Sequence, residues 1–446
     1  MQKDDFKKIN DYIWEIGKRG KMNVPARIYV SEKMLNEVFK DKSVEQLVNT
    51  AMLPGIVNFS MAMPDIHEGY GFPIGGVAAM DAEKGIISPG GVGYDINCGM
   101  KLLRSELSEK DILPYVEKLA TEMQKEVPSG LGRGRQIKLS IDALDEILKG
   151  GAKKLVEQGY GEKEDVKNCE SNGCIEQADS DMVSSHAKNR GRDQVGTLGS
   201  GNHFLEIQKV DEIFNENTAQ KFGLFKNQIL VMIHTGSRGL GHQIATDYIQ
   251  LMMRAMSKYN VSLPDRELAC VPFKSSEGQR YFKAMSAGAN YAWANRQMIA
   301  HYIRKAWKEV LGPSTSSGLT AVYDVAHNIA KIEKYEVNGK ETEVVVHRKG
   351  ATRAFVGQPV LIPGSMGTSS YVLVGTEKGK ESWYSTCHGA GRTMSRNAAA
   401  RSLSGQEIIN NLKAKGILVK CYSMRGIAEE APQAYKNIDE VVDVVH

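Results

Sequence analysis

Residues Gln228–Gly241, QILVMIHTGSRGLG, decide the fold class. Ile229 to Ile233 form a continuous apolar run bounded by a polar residue and a glycine turn, the pattern of a strand buried on both faces. The run delivers His234 at its C-terminal end. Beyond the turn, Ile244, Tyr248, Leu251, Met252 and Ala255 repeat at helical spacing and predict an amphipathic helix, followed by a longer one reaching Gly312 and Pro313. A buried strand that hands a histidine to a glycine turn and then a helix predicts a mixed α/β chain with chemistry at strand ends.

Working outward, the same alternation recurs. EVVVHRKGATRAF (343–355) reads as strand, turn, strand, and LIPGSMGTSSYVLVG (361–375) as a phosphate-accepting loop entering a strand. Ser404 to Lys415 reads as a helix stopped by Gly416, and a short helix is expected from Ser43, with Ser43 as its N-cap, Val44, Leu47, Val48 and Met52 on one face, and Pro54 and Gly55 ending it. Between Met63 and Met100, short strands joined by glycine-rich loops are expected, which places Asp95 and Cys98 in a loop. Asp111 to Gly161 has a helical pattern. The sequence shows no internal repeat, low-complexity tract or heptad array.

With 446 residues, 41% of them hydrophobic and 25% charged, the chain has ordinary globular composition, which excludes a disordered protein. A net charge of +4 carries no announcement of a nucleic-acid binder. Six scattered cysteines and a charged N-terminus without an apolar stretch predict free thiols in a soluble, cytoplasmic protein, and no segment is apolar enough to span a membrane.

Four motifs keep metal-binding side chains beside glycines: GYDINCG with Asp95 and Cys98, GSGNHF with His203, HTGSRG with His234 and CHGAGR with His388. Glycine lets backbone N–H groups approach an anion, while Cys, His and Asp are donors for divalent transition metals. A thiolate can bridge two cations, so Asp95, Cys98 and three histidines could hold two metals. Read alone, Cys98 serves equally as a small buried hydrophobe. His327, flanked by Asn328, sits in a similar context. His301 lies in a helical run and reads as core or surface, and His242 and His347 are ambiguous. Cys169 and Cys174 lack the second pair that a zinc site needs. An imidazole in HGAGR could act as a nucleophile towards phosphorus instead of a ligand. Arg238, Lys349 and Arg392 are candidate phosphate clamps, and Asn202, Asn328, Ser365 and Ser369 offer polar groups to a nucleotide. If Asp95 and His388 serve one site, nearly 300 intervening residues fold back on themselves, which favours one interwoven catalytic domain over residues 1–446.

PDIHEGYGFPIGG (64–76), GGVGYDINCGM (90–100), GTLGSGNHFLEIQ (196–208), HTGSRGLG (234–241), AHNIA (326–330), PGSMGTSSY (363–371) and TCHGAGRTMSR (386–396), taken in this order, resemble the RtcB family of RNA-splicing ligases over nearly the whole chain. The resemblance implies an α/β single-domain fold, central sheets flanked by helices around a metal-lined cleft. It implies an enzyme that joins RNA ending in a 2′,3′-cyclic phosphate or 3′-phosphate to RNA with a 5′-hydroxyl, using GTP and two Mn²⁺ ions. Carried over by residue, Asp95, Cys98 and His203 hold one metal, Cys98, His234 and His327 the other, and His388 becomes guanylylated. The nucleotide is expected to contact Asn202, His203, Phe204, Leu205, Glu206, His327, Asn328, Ile362, Pro363, Gly364, Ser365, Ser369, His388, Gly389, Ala390, Gly391 and Tyr435. Donor softness alone points to zinc; Mn²⁺ comes from the family. Archease as an activating partner is likewise implied by the family only.

The sequence given stops at IDEVVDVVH (438–446), whereas members of the family typically continue to a basic tail whose last lysine reaches the nucleotide; with 446 as the true end, nucleotide phosphate affinity or the guanylylation step would suffer. The alternatives to a ligase are a cyclic phosphoesterase or 3′-end capping relative, and a noncatalytic GTP- or RNA-binding subunit. RNA is the expected substrate and DNA is not. Arg133, Arg135, Arg190 and Arg192 could follow an RNA backbone, or equally form a solvated surface.

Overall fold

The computed structural model describes residues 1–130, 134–136, 138–312 and 318–446; Arg133 and Pro313 lie outside them. The strands and helices make a mixed α/β architecture in which the described strands form a seven-stranded sheet, a four-stranded sheet and three two-stranded ribbons.

The four-stranded sheet is antiparallel, in the order Thr320–Ala326, Gly99–Ser108, Gln228–Thr235, Phe204–Lys209. Gln228–Thr235 is buried at every position, as its apolar run predicts. The larger sheet runs Lys7–Lys8, Ile13–Ile16, Ala26–Tyr29, Ile56–His67, Ile74–Asp81, Lys340–Lys349, Asn328–Val337, and its one parallel pairing joins Ala26–Tyr29 to Ile56–His67. Chain passes directly from the smaller sheet to the larger at His327, between Thr320–Ala326 and Asn328–Val337.

A 36-residue helix, Ser276–Leu311, runs through the interior, capped by Ser275 accepting from the Gly278 N–H. Tyr281, Tyr291 and Trp293 fill the core around it. Three consecutive polar residues at its centre are also buried, because each is spent on backbone that must be held. Asn295 accepts from the Gly196 and Thr197 N–H groups and donates to the Thr197 and Gly236 carbonyls. Arg296 donates to the Asn97 and Thr235 carbonyls and pairs with Asp324. Gln297 bridges Lys101 and Asp165. The helix thereby fixes three glycine-rich loops that are far apart in sequence.

Several expectations need correction. Ser43 is the first residue of its helix, Ser43–Thr50, and the Ser43 N–H is received by Asp41. The region from Met63 is served by long strands, Ile56–His67 and Ile74–Asp81. The helical pattern of Asp111 to Gly161 is borne out in Glu109–Ile112, Val116–Glu126 and Ile141–Glu157, where Leu144, Ile147 and Leu148 are buried, with Pro128 and several glycines between the last two.

Candidate active site

Sheet register assembles the donors. Cys98 immediately precedes Gly99, which lies opposite both Thr235 and Ala326, so Cys98 sits beside His327 on one side and diagonally from His234, the partner of Met100, on the other. The His327 N–H donates to the Cys98 carbonyl at 2.9 Å. His203 precedes Phe204, which lies opposite His234. Four side chains from four adjacent strands therefore meet at one end of one sheet.

Their distances are those of a cluster. Cys98 Sγ is 3.4 Å from His203 Nε2 and 3.3 Å from His234 Nε2, and His234 Nε2 is 3.2 Å from His327 Nε2. His203 Nε2 is 2.9 Å from Asp95 Oδ2. Two groups form, Asp95–Cys98–His203 and Cys98–His234–His327, sharing the sulfur. Gly236 must be glycine here, because a Cβ would lie 2.3 Å from Asp95 Oδ1. His203 Nδ1 faces the Leu198 carbonyl at 3.1 Å, which orients the ring with Nε2 towards Asp95 and Cys98.

Electrostatics favour a cation at this point. Burial, and next the charge on His203, hold His234 well below the usual imidazole range, and burial with His388 does the same for His327. Burial and then Asp95 push the Cys98 thiol well up. Burial also opposes the charge on Asp95, but the hydrogen bond and charge of His203 outweigh it and hold the carboxyl low. The buried imidazoles of His234 and His327, the His203 ring, a sulfur and a carboxylate thus converge on one point. The donor set suits two transition-metal ions bridged by sulfur.

His388 stands beside this cluster, its ring 5.0 Å from that of His327. It follows Ser385–Cys387, which pairs with Ala351–Arg353. Its backbone N–H and its Nδ1 both reach Asp65 Oδ2, at 2.9 and 2.5 Å. Asp65 is fully buried on Ile56–His67, where a register irregularity between Ala62 and His67 re-aims the strand. Burial raises its carboxyl, but the charge and hydrogen bonds of His388 hold it low. Gly391, at φ +75°, is needed because a Cβ would lie 2.3 Å from the Asp65 carbonyl.

Several of the residues expected to meet a nucleotide are linked by hydrogen bonds and contacts. Glu206 accepts from Gln208, which also reaches Ser370, and Ser370 accepts from the Gly364 N–H. Gly389 faces the Pro363 carbonyl. The Asn328 amide accepts from the Gly350 N–H and donates to the Asp95 carbonyl. Ser365 and Thr368 close the Ile362–Ser369 turn. Phe204 packs against the His234 ring. Tyr435 donates to Glu430 and lies beside Arg392. Leu205 is set apart: its side chain packs into the cluster containing Ile233, on the sheet face opposite its neighbours.

Three expected phosphate clamps differ in kind. Arg392 is engaged by Glu430 and the Glu429 carbonyl. Lys349 holds the Tyr70 and Phe72 carbonyls, and burial lowers it to about 7. Arg238 donates to Thr197 through Nε, and its buried Nη2 has no partner among the described residues. Arg135 and Arg192 hold backbone carbonyls, while Arg190 is exposed. Cys174 donates to the Lys149 carbonyl and Cys169 is buried, and both are free thiols.

The family profile described as tRNA-splicing ligase RtcB matches residues 46–446. The chain belongs to the RtcB family. Similar RtcB proteins are those called tRNA-splicing ligase RtcB in Thermococcus kodakarensis, 53% identical, and in Archaeoglobus fulgidus, 54% identical, each alignment covering 99% of this chain and 95% of the relative. The relative of the same name in Nanoarchaeum equitans is 50% identical over the same shares. Asp65 is the residue of this RtcB chain that motif reading missed: it lies in the quoted PDIHEGYGF stretch, yet nothing local marks it as the partner of His388.

Proposed function

We propose that the chain is an RNA ligase of the tRNA-splicing type, joining a 2′,3′-cyclic phosphate or 3′-phosphate RNA end to a 5′-hydroxyl end with GTP and Mn²⁺. The observation that carries this reading is the pairing of His388 with buried Asp65 one ring away from the donor cluster. With Nδ1 turned to the carboxylate, Nε2 is the ring nitrogen left for chemistry, and in the neutral ring it carries the lone pair a nucleophile needs.

Asp95, Cys98 and His203 would hold one Mn²⁺, and Cys98, His234 and His327 the other. Bound there, the cations would neutralise negative charge that develops on phosphoryl oxygens. His388 Nε2 attacks the α-phosphorus of GTP as the bond to pyrophosphate breaks, and Asp65 stabilises the positive charge that the imidazole takes on. The guanylyl group then passes to an RNA 3′-phosphate, freeing His388, and the 5′-hydroxyl of the second RNA displaces GMP to form the phosphodiester. A cyclic phosphate is hydrolysed to the 3′-phosphate beforehand. Glu206, held up by burial and given a single donor in Gln208, suits the adjacent N–H groups of a guanine edge. The Gly364–Ser365 and Gly389–Gly391 backbones suit phosphates, and Asn202, Ser369 and Tyr435 complete the nucleotide site.

The whole chain acts as one catalytic unit on this reading, because one hydrophobic core takes residues from Phe6 to Val442. Free cysteines fit a reducing cytoplasm, and no described helix is long and apolar enough to cross a membrane. An activating partner of the archease type belongs to this reading through family resemblance alone.

The test is incubation with α-labelled GTP and Mn²⁺, wild type beside His388→Ala, denaturing electrophoresis, and a chase with 2′,3′-cyclic-phosphate and 5′-hydroxyl RNAs. Label on the wild type alone, released as joined RNA appears, is expected. Absence of label from a metal-loaded wild type overturns the ligase in favour of a phosphoesterase or a binding subunit.

A further inference from the structure

From Gly85 to Leu103 every residue is buried except two, Tyr94 and Asp95. Asp95 is accounted for by the donor cluster. Tyr94 reaches the surface beside it and joins an aromatic ladder built from three separate segments. Its ring stacks on His242, with centroids 4.8 Å apart and planes at 26°. Tyr70, from the loop after Ile56–His67, meets the Tyr94 ring edge-on, at 5.4 Å and 66°. Both tyrosines are half-buried and His242, in the second turn of helix Arg238–Ala255, is exposed. The stack therefore ends in an open ring face.

Its position ties it to the chemistry. Ser237, just before that helix, donates its N–H to Asp95 Oδ1 at 3.0 Å. On the far side of Tyr94, a Cβ on Gly93 would lie 3.6 Å from Lys349 Cε and 3.9 Å from Asn328 Nδ2. The nucleotide residues are linked to one another through Gln208, Ser370 and Gly364, whereas the ladder joins the cluster through Asp95. The exposed guanidinium of Arg190 flanks the outer end, reaching Gln243 beside His242 at 2.8 Å. The acid on the Tyr70 side, Glu267, accepts from the Gly71 N–H.

We propose that Tyr70, Tyr94 and His242 form a stacking platform for the base of the terminal nucleotide of an RNA end brought to the cluster. The proposal rests on the ligase reading. RNA ends are read as unstacked single strands, and aromatic faces accept any base because every base has a π-face. A ligase must place the base next to the reacting phosphate somewhere that does not depend on its identity. An open ring stack one residue from Asp95, with a cation at its edge, supplies that place.

The test measures sealing with RNA pairs whose 3′-terminal or 5′-terminal nucleotide is replaced by a stable abasic analogue, using the full chain, His242→Ala, His242→Phe and Tyr94→Leu. In wild type, one of the two abasic substrates should show a KM about 10-fold above that of intact RNA, and which one it is assigns the platform to the phosphate-bearing or the hydroxyl-bearing strand. His242→Ala and Tyr94→Leu should raise KM for intact RNA and lose the distinction, while His242→Phe keeps it. Equal use of intact and abasic ends by wild type, or undiminished discrimination by His242→Ala and Tyr94→Leu, overturns the platform. If wild type takes no label from GTP, the ligase reading has failed by itself. Fluorescence anisotropy with the same RNAs then decides the platform: an abasic penalty abolished by His242→Ala supports it, and equal affinities overturn it.

Discussion

A carboxylate buried against an imidazole settles its tautomer, its orientation and the charge it can bear, and Asp65 does all three for His388. Asp65→Asn keeps the shape and removes the charge, and its amide can present an N–H to Nδ1. Guanylylation measured by rapid quench should slow by about 10²-fold or more, while GTP affinity measured by equilibrium binding stays near that of wild type; an unchanged labelling rate would remove Asp65 from the mechanism. His347 gives a second prediction. It is fully buried, receives the Ser88 N–H at Nε2, and burial lowers it to about 4 from an ordinary value near 6.5. Between those values the unfolded chain takes up a proton that the folded chain refuses, so its contribution is complete above pH 6.5 and is lost as pH falls towards 4. From pH 7.5 to 4.5 the wild type should lose about 3 kcal/mol relative to His347→Gln in urea denaturation. Equal losses in the two proteins would contradict a neutral His347. Residue reading of the sequence picked out His203, His234, His327 and His388 because each lies near Gly, Asn or Ser at an expected turn or strand end. Asp65 has no such signal, since its meaning lies 323 residues away.

Elements carry the next layer of argument, because the cluster is a product of strand register. A slip of one residue in Gly99–Ser108 would turn its side chains to the opposite face and break the meeting of Cys98 with two histidines. Arg296 guards that register by holding the Asn97 and Thr235 carbonyls, each next to a donor residue. Arg296→Met leaves Asp324 buried with Lys101, 3.6 Å away, as its counter-charge among the described residues. A loss of roughly 3–5 kcal/mol is expected in denaturant unfolding, together with weaker Mn²⁺ binding in calorimetric titration. Retained metal affinity would show that the loops keep their register without it. The strand before His234 was legible because its apolar run is uninterrupted. The length of Ile56–His67 was not, since Asn58, Ser60 and Asp65 interrupt its apolar pattern, and two of them are buried only through the tertiary fold.

At the scale of the molecule, loops from every part of the chain converge on one point, so a ligand there should stabilise the whole. Chelation should lower the melting temperature and Mn²⁺ should restore it, a cation at 100 times its Kd contributing about 2.7 kcal/mol. His234→Ala should abolish the response; a melting temperature indifferent to Mn²⁺ in the wild type would mean the donors hold no cation. Motif order made the family and the mixed α/β class legible. The central helix was legible as a helix, while the work of Asn295, Arg296 and Gln297 was not, because polar residues inside a helix look solvated until their partners are known. One consequence of the Asp65–His388 pairing concerns synthesis on the ribosome. The carboxylate leaves the exit tunnel 323 residues before its imidazole, so on the proposed role of His388 a nascent product that stops short of that residue is chemically silent. On the proposed role of His388, labelling by GTP begins only once Asp65 and His388 have folded against each other.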